Sequence, residues 1–391
     1  MLNTKFSPWP SFTKEESDAV SNVILSNKVN YWTGTECREF EKEFAAWSGC
    51  EYAVALGNGT LALDLALKAL DVGEGDEVIT TPRTFLASAS SIVTSGASPV
   101  FADVDLNSQN ITAESIEAVL TEKTKAVIVV HLAGMPAEMD AIMALSEKHG
   151  FFVIEDCAQA HGAKYKGRSV GSIGHIGAWS FCQDKIMTTG GEGGMVTTND
   201  KALWSKMWSY KDHGKSFDAI YNKQHPAGFR WLHESFGTNW RMTEMQGAIG
   251  RIQLQRMADW TEKRQANGAA IDKVASTFNV VRTVDVPDYI EHAEYKHYLF
   301  VEPQNLAEGW TRDRIVDEIV SRGVPAFQGS CSEVYLEKAF DETPWRPKER
   351  LKNAVELGET SLMFLVHPTL TETEVELTCS LLDEVFSKAQ A

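Results

Sequence analysis

The sequence predicts an α/β fold: a mostly parallel sheet covered by helices on both faces, followed by a smaller α+β unit. Three observations predict it. Short β-branched or apolar runs alternate with helical patterns through about residue 200. The runs "TKAVIVVHLAG" and "FFVIEDC" are apolar without alternation, as strands buried on both faces are. The alternation is lost after about residue 243, where a long helical stretch begins.

The elements follow in order. "TGTECREFEKEFAAWSG" carries Phe40, Phe44 and Trp47 at helical spacing and stops at Gly49. "YAVALG" is a strand, and "NGTLALDLALKALDVG" is a turn and a helix, capped by Asn58 or Thr60. "DEVITTP" is a strand, "TFLASASSIVTSG" a helix and "SPVFADVD" a strand. "ITAESIEAVL" is a helix with Thr112 as N-cap and Glu114 close behind. The strand "TKAVIVVHLAG" leads to the helix "EMDAIMALSEKHG", which ends at Gly150. "FFVIEDC", "GAWSF" and "GGMVTTND" are the next strands. From "RMTEMQGAIG", with Thr243 as N-cap, runs a long, broken helical region. After it come "YKHYLFVEP" and the helices "TRDRIVDEIVSRG" and "TETEVELTCSLLDEVFSKAQ". A smaller C-terminal domain therefore begins near residue 255.

Composition narrows the function. With 37 Lys+Arg against 54 Asp+Glu, the net charge of −17 argues against a nucleic-acid footprint, which needs a basic face. Six cysteines are scattered without metal or redox spacing and read as reduced thiols. No metal site is expected. No apolar run reaches membrane-spanning length, and "MLNTKFSPWP" does not read as a signal peptide, so a cytoplasmic protein without membrane partners is expected.

Four features sit where a parallel sheet places ligands, beyond its strand C-termini. "GNGT" joins a strand to a helix, where glycines admit a phosphate to the helix N-terminus. Asp156 closes "GFFVIED". Lys185 follows "GAWSF" and precedes four glycines around Glu192. "GTNWRMTEMQ" places Asn239 and Arg241 before a helix. Singly, each has an ordinary reading: a capped turn, a capping acid, a surface lysine, a capped helix start. Together, a phosphate cradle, a strand-end carboxylate and a later lysine are what pyridoxal phosphate (PLP) requires: an anion site, a partner for the pyridine nitrogen, and an amine for the aldehyde.

At this point the chain resembles the DegT/DnrJ/StrS family of fold type I sugar aminotransferases. The resemblance spans roughly residues 5–386. It is carried by "FEKEFAAWSG", "NGTLALDLAL", "GDEVITTPRTFLASASSI", "PVFADVD", "VHLAGMPAEMD", "VIEDCAQAHGA", "GAWSF", "GGEGGMVTTND", "GTNWRMTEMQGAIGRIQL" and "SLMFLVHPTLTETEV". It implies a mainly parallel seven-stranded sheet sandwiched by helices in a PLP-binding domain at 1–255, N-terminal arm included, and a small domain at 256–391. It implies Lys185 as the Schiff-base lysine, Asp156 on the pyridine nitrogen, Gln159 on the ring oxygen and Phe85 stacked on the ring. Thr60 and Leu61 amides, with the Ser180 hydroxyl, would bind the phosphate. Asn239 would reach the phosphate of a second subunit, so a homodimer with a shared site is expected. The implied reaction moves an amino group, with L-glutamate as donor, to the C3 or C4 keto carbon of a sugar that is linked to a nucleotide in most members.

One departure is local: two glycines, Gly190 and Gly191, precede "EGG" where the family usually has one, so a longer turn is expected. A dehydratase branch replaces the lysine by histidine, so Lys185 argues for transamination. Two rivals are weighed. A PLP-dependent cysteine desulfurase would use Cys331 in "QGSCSEV", which otherwise reads as a small buried residue. A non-catalytic regulator would keep the fold, but every implied cofactor contact is present. The expected walls of the acceptor site are segments 215–235 and 323–335. Arg241, Arg230 and Lys211 are the candidate cations for anionic substrate groups.

Overall fold

The computed structural model describes residues 6–224, 228 and 230–390. Its large sheet has seven strands: β1 (Tyr52–Leu56), β2 (Glu77–Thr80), β3 (Ser98–Phe101), β4 (Thr124–Val130), β5 (Phe152–Asp156), β6 (Ile176–Ser180) and β7 (Gly194–Thr198). They lie in the order β1-β7-β6-β5-β4-β2-β3. Only β7 runs against its neighbours. The expected mainly parallel sheet is therefore present. Ile154, Val127 and Ile128 in its centre are fully buried, which explains why these strands show no polar alternation.

The helix ends follow the chemistry read from the sequence. Gly49 closes helix Glu36–Ser48 in the left-handed region at φ 72°, where a side chain would be strained. Thr112 caps its short helix, but its reciprocal partner is Ser115, not Glu114. Thr243 and Gln246 form a capping box. The long helical region breaks at Arg256, between Glu244–Gln255 and Met257–Ala275. There the guanidinium is held by Glu15 and Glu16 of helix Lys14–Leu25, each at 2.6 Å.

A second sheet is built entirely from later residues: β8 (Val281–Thr283), β9 (His297–Val301), β10 (Ala326–Phe327) and β11 (Ser361–Phe364). All its pairings are antiparallel, in the order β8-β9-β11-β10. Helices Arg312–Ser321 and Glu372–Ala389 bury Ile315, Ile319, Leu382 and Phe386 against it. The N-terminal arm, grouped with the large unit in the sequence reading, also reaches these later residues. Ser7 Oγ donates to Glu374 at 2.9 Å, and Trp9 stacks on His367 with ring centres 5.9 Å apart. No helix among the described residues is long and apolar enough to cross a membrane.

Candidate active site

A cavity of about 1080 Å³ opens at the C-terminal ends of β1, β5 and β6, with its far wall formed by residues of the second sheet and its loops. This is the place where parallel strands leave a crevice for ligands. Thr60, Leu61, Phe85, Asp156, Gln159, Ser180 and Lys185, singled out in the sequence, all line it.

The cradle begins two residues past β1. Asn58, in extended conformation, caps helix Gly59–Ala69, its Oδ1 accepting the Leu61 amide at 3.0 Å. The Leu61 N–H is thus engaged by the cap. The amides of Gly59 and Thr60, in the first turn, have no intrahelical acceptor and remain for an anion. Glycine is required at 59, because a Cβ there would lie 2.5 Å from the Cβ of Ser180. The close approach sets the Ser180 hydroxyl, at the end of β6, beside the helix start.

Asp156 ends β5 between Val130 and Ala178 of the adjoining strands. It is 6% exposed. Its Oδ1 accepts the Ala158 amide at 3.1 Å and its Oδ2 the Ser88 hydroxyl at 2.9 Å. Burial raises its pKa, against those bonds and the nearby charge of Lys185. A cation placed against this carboxylate would relieve that cost. Gln159 Oε1 accepts the amide of Ala133 at 2.7 Å, so its NH2 group is the donor left for the cavity. Phe85 is 71% exposed, an aromatic face turned to open space.

Lys185 follows β6 on a tight turn. Its carbonyl accepts the Trp9 indole N–H at 2.8 Å, and its Nζ lies 5.2 Å from the centre of the Tyr295 ring. Gly190 and Gly191 sit at φ 93° and 119°. Both positions of the longer turn thus need glycine. Beneath the lysine, His161 is fully buried between Trp179 and Phe181, with no partner for either ring nitrogen. Burial, with the charges of Lys185 and Arg264, lowers its pKa to about 3, so the ring is neutral.

The candidate substrate cations lie elsewhere. Lys211 is fully buried, its Nζ 3.0 Å from Glu41 and 3.8 Å above the Tyr31 ring. Arg241 pairs with Asp212 at 2.6 Å and is 13% exposed. Neither lines the cavity, and both charges are spent inside the fold. Arg230 and Asn239 are exposed and also outside this chain's cavity lining. Of the expected walls, 323–335 contributes Phe327, Gly329, Ser330, Cys331 and Val334. None of 215–235 does among the described residues, and 225–227 and 229 lie outside them. Cys331 is exposed, not buried as expected.

Sequence reasoning missed Asp184, Tyr295 and Lys296. The Tyr295 hydroxyl donates to Asp184 at 2.5 Å, and Lys296 lies beside it on the cavity wall. "EYKHYLF" carries only a strand signal, and no spacing marks its lysine as a site residue. The buried His131–Glu155–Cys157 group has metal-ligand chemistry, but Glu155 already accepts from His131 and from the amides of Gly171, Ile173 and Gly174.

The sequence profile of the DegT/DnrJ/EryC1/StrS aminotransferase family matches residues 10–383. The chain belongs to this family. An aminotransferase from Psychrobacter cryohalolentis, solved by X-ray crystallography, is 64% identical with a TM-score of 0.97, covering 98% of this chain and 99% of that one. The spore coat polysaccharide biosynthesis protein SpsC of Bacillus subtilis is 35% identical over 94% of this chain and 93% of its own. The GDP-perosamine synthase of Escherichia coli O157:H7 is 33% identical over 97% of both. This family member is thus a PLP-dependent aminotransferase of fold type I. The membership sets aside the cysteine desulfurase, and the gathering of Lys185, Asp156, Gln159 and Ser180 in one cavity argues against a non-catalytic regulator.

The residues fit PLP on the structure's own terms. The cradle at Gly59 and Thr60 with Ser180 suits the phosphate, and buried Asp156 suits a protonated ring nitrogen. Phe85 offers a ring face, and Lys185 an amine within the same cavity.

Proposed function

We propose that the enzyme moves an amino group from L-glutamate to a keto-sugar linked to a nucleotide, at C3 or C4, as a cytoplasmic homodimer. The observation that carries the reading is the single cavity uniting Lys185, Asp156, Gln159, Phe85, Ser180 and Thr60, large enough to admit a sugar beside the cofactor. The relatedness to a GDP-perosamine synthase and to SpsC supports a sugar acceptor.

PLP, when bound, supplies an electron sink and carries the amino group between the two substrates. Asp156 would hold the proton on the ring nitrogen through its buried carboxylate, and Phe85 and Gln159 would contact the ring's face and edge. Lys185 Nζ removes the proton at Cα of the donor and, in the second half, returns a proton to the sugar carbon that bore the keto oxygen. The donor leaves as its oxo-acid before the sugar enters, which predicts ping-pong kinetics. Asn239, exposed and outside its own chain's cavity, would complete the phosphate site of a second subunit.

The test is a panel of UDP-, dTDP- and GDP-keto-sugars with glutamate, scored by mass spectrometry for the amino-sugar. Product from one nucleotide sugar supports the reading. Oxo-acid formation from glutamate with no sugar aminated would overturn the acceptor class.

A further inference from the structure

We propose that Lys296 is the receptor for the carboxylate of the amino donor. The inference rests on the proposed transamination and names the site's donor contact. Lys185 and Lys296 are the two basic side chains lining the cavity among the described residues. Lys185 is committed to the cofactor and to proton transfer, so Lys296 is the cation of this chain left to meet an anionic substrate group. Of the cations expected from the sequence, Lys211 and Arg241 are neutralised within the fold, and exposed Arg230 lies outside this chain's cavity lining.

The placement suits a carboxylate attached to the reacting carbon. Both ammonium groups lie over the Tyr295 ring, Lys185 at 5.2 Å and Lys296 at 4.8 Å from its centre. In an α-amino acid the carboxyl carbon is two bonds from the amino nitrogen. A donor whose nitrogen stands near Lys185 therefore turns its carboxylate to groups around Tyr295. No carboxylate of the described residues is within 4.0 Å of Lys296. The nearby charges are Asp184, already engaged by the Tyr295 hydroxyl, and the cations Lys185 and Arg264. Around Tyr295, Lys185, Lys296 and Arg264 thus stand near two carboxylates, Asp184 and Glu294, and both of these are already engaged, by the Tyr295 hydroxyl and by His297. Burial, together with Arg264 and Lys185 and against Asp184, lowers the Lys296 pKa to about 8. An arriving carboxylate would relieve that strain. A nucleotide diphosphate is the other anion the enzyme would meet, but it hangs from the far side of the sugar from the reacting carbonyl.

The experiment uses the PLP-loaded enzyme and the variants Lys296→Met and Lys296→Arg. Glutarate, a dicarboxylate that cannot react, is titrated by calorimetry. The two half-reactions are then measured separately, glutamate with the PLP form and the keto-sugar with the pyridoxamine form. Lys296→Met is expected to weaken glutarate at least tenfold and to raise the glutamate concentration for half-maximal rate in proportion, as loss of a charge-assisted bond does. Keto-sugar affinity should change less than threefold, and Lys296→Arg should recover most of the glutarate binding. Unchanged glutarate affinity overturns the proposal. So does an equal loss for the keto-sugar, which would assign the ammonium to the nucleotide phosphates. If the wild type binds glutarate through Lys296 yet no glutamate half-reaction occurs, the donor assignment fails while the carboxylate site stands.

Discussion

Replacing Lys211 with methionine separates a structural lysine from a substrate-binding one. In the fold its ammonium is fully buried, 3.0 Å from Glu41 and 3.8 Å above Tyr31. Glu41 also accepts the Ala55 amide and the Tyr31 hydroxyl, both at 2.9 Å. It ties helix Glu36–Ser48 to β1 and to helix Lys201–Lys211. Methionine fills similar volume, so the packing loss is small, but Glu41 is left as a buried charge with no cation. Breaking such a pair costs about 3–5 kcal/mol. Urea unfolding followed by tryptophan fluorescence should therefore show a clear loss in the transition that reports this region. Adding Glu41→Gln to Lys211→Met should recover more than half of it, because the uncompensated charge is gone. Substrate KM values of the folded variant should be unchanged. A variant as stable as the wild type with a raised substrate KM would refute the reasoning and return Lys211 to the active site.

Three further outcomes follow from other contacts. Asp156→Asn keeps the size and the Ser88 contact but loses the charge, so turnover should fall about 10- to 150-fold, from ~1.5–3 kcal/mol for a hydrogen bond to a charged group, with thermal stability little changed. His297 is buried, which pushes its pKa down, but Glu294 and Asp272 outweigh this and raise it to about 10. Its contribution is therefore whole below the ordinary histidine pKa of about 6.5. It is lost as pH rises through about 10, and His297→Gln should flatten that part of the stability profile. Gly59→Ala should weaken PLP binding at least tenfold in equilibrium dialysis, since its Cβ would clash with Ser180 and close the cradle.

What could be read in advance was local. Gly49, Thr112 and Thr243 terminate helices through contacts within a few residues, so their types alone mark them. Asp156 was legible because a strand end dictates where its last side chains face, and Lys185 because it follows a phosphate cradle and that carboxylate in the chain order the cofactor requires. Lys211 was misread because its partner, Glu41, is 170 positions away and only folding brings it near. Lys296 was missed for a similar reason: it sits just before an ordinary strand, and its meaning comes from Asp184 and the facing wall, which only folding brings near. The contacts of the N-terminal arm to both units were not legible, because Trp9 and Ser7 bind residues more than 350 positions distant as well as Lys185.

The central claim is that Lys185 is the amine of a PLP aminotransferase, and covalent trapping tests it most directly. The purified enzyme is treated with borohydride, digested and mapped by mass spectrometry. One phosphopyridoxyl group is expected, on the peptide containing Lys185, and none in Lys185→Ala. Glutamate added beforehand should abolish the trapping, with one equivalent of 2-oxoglutarate released. Label on Lys296 or any other lysine of the wild type, or trapping that glutamate leaves untouched, would contradict it.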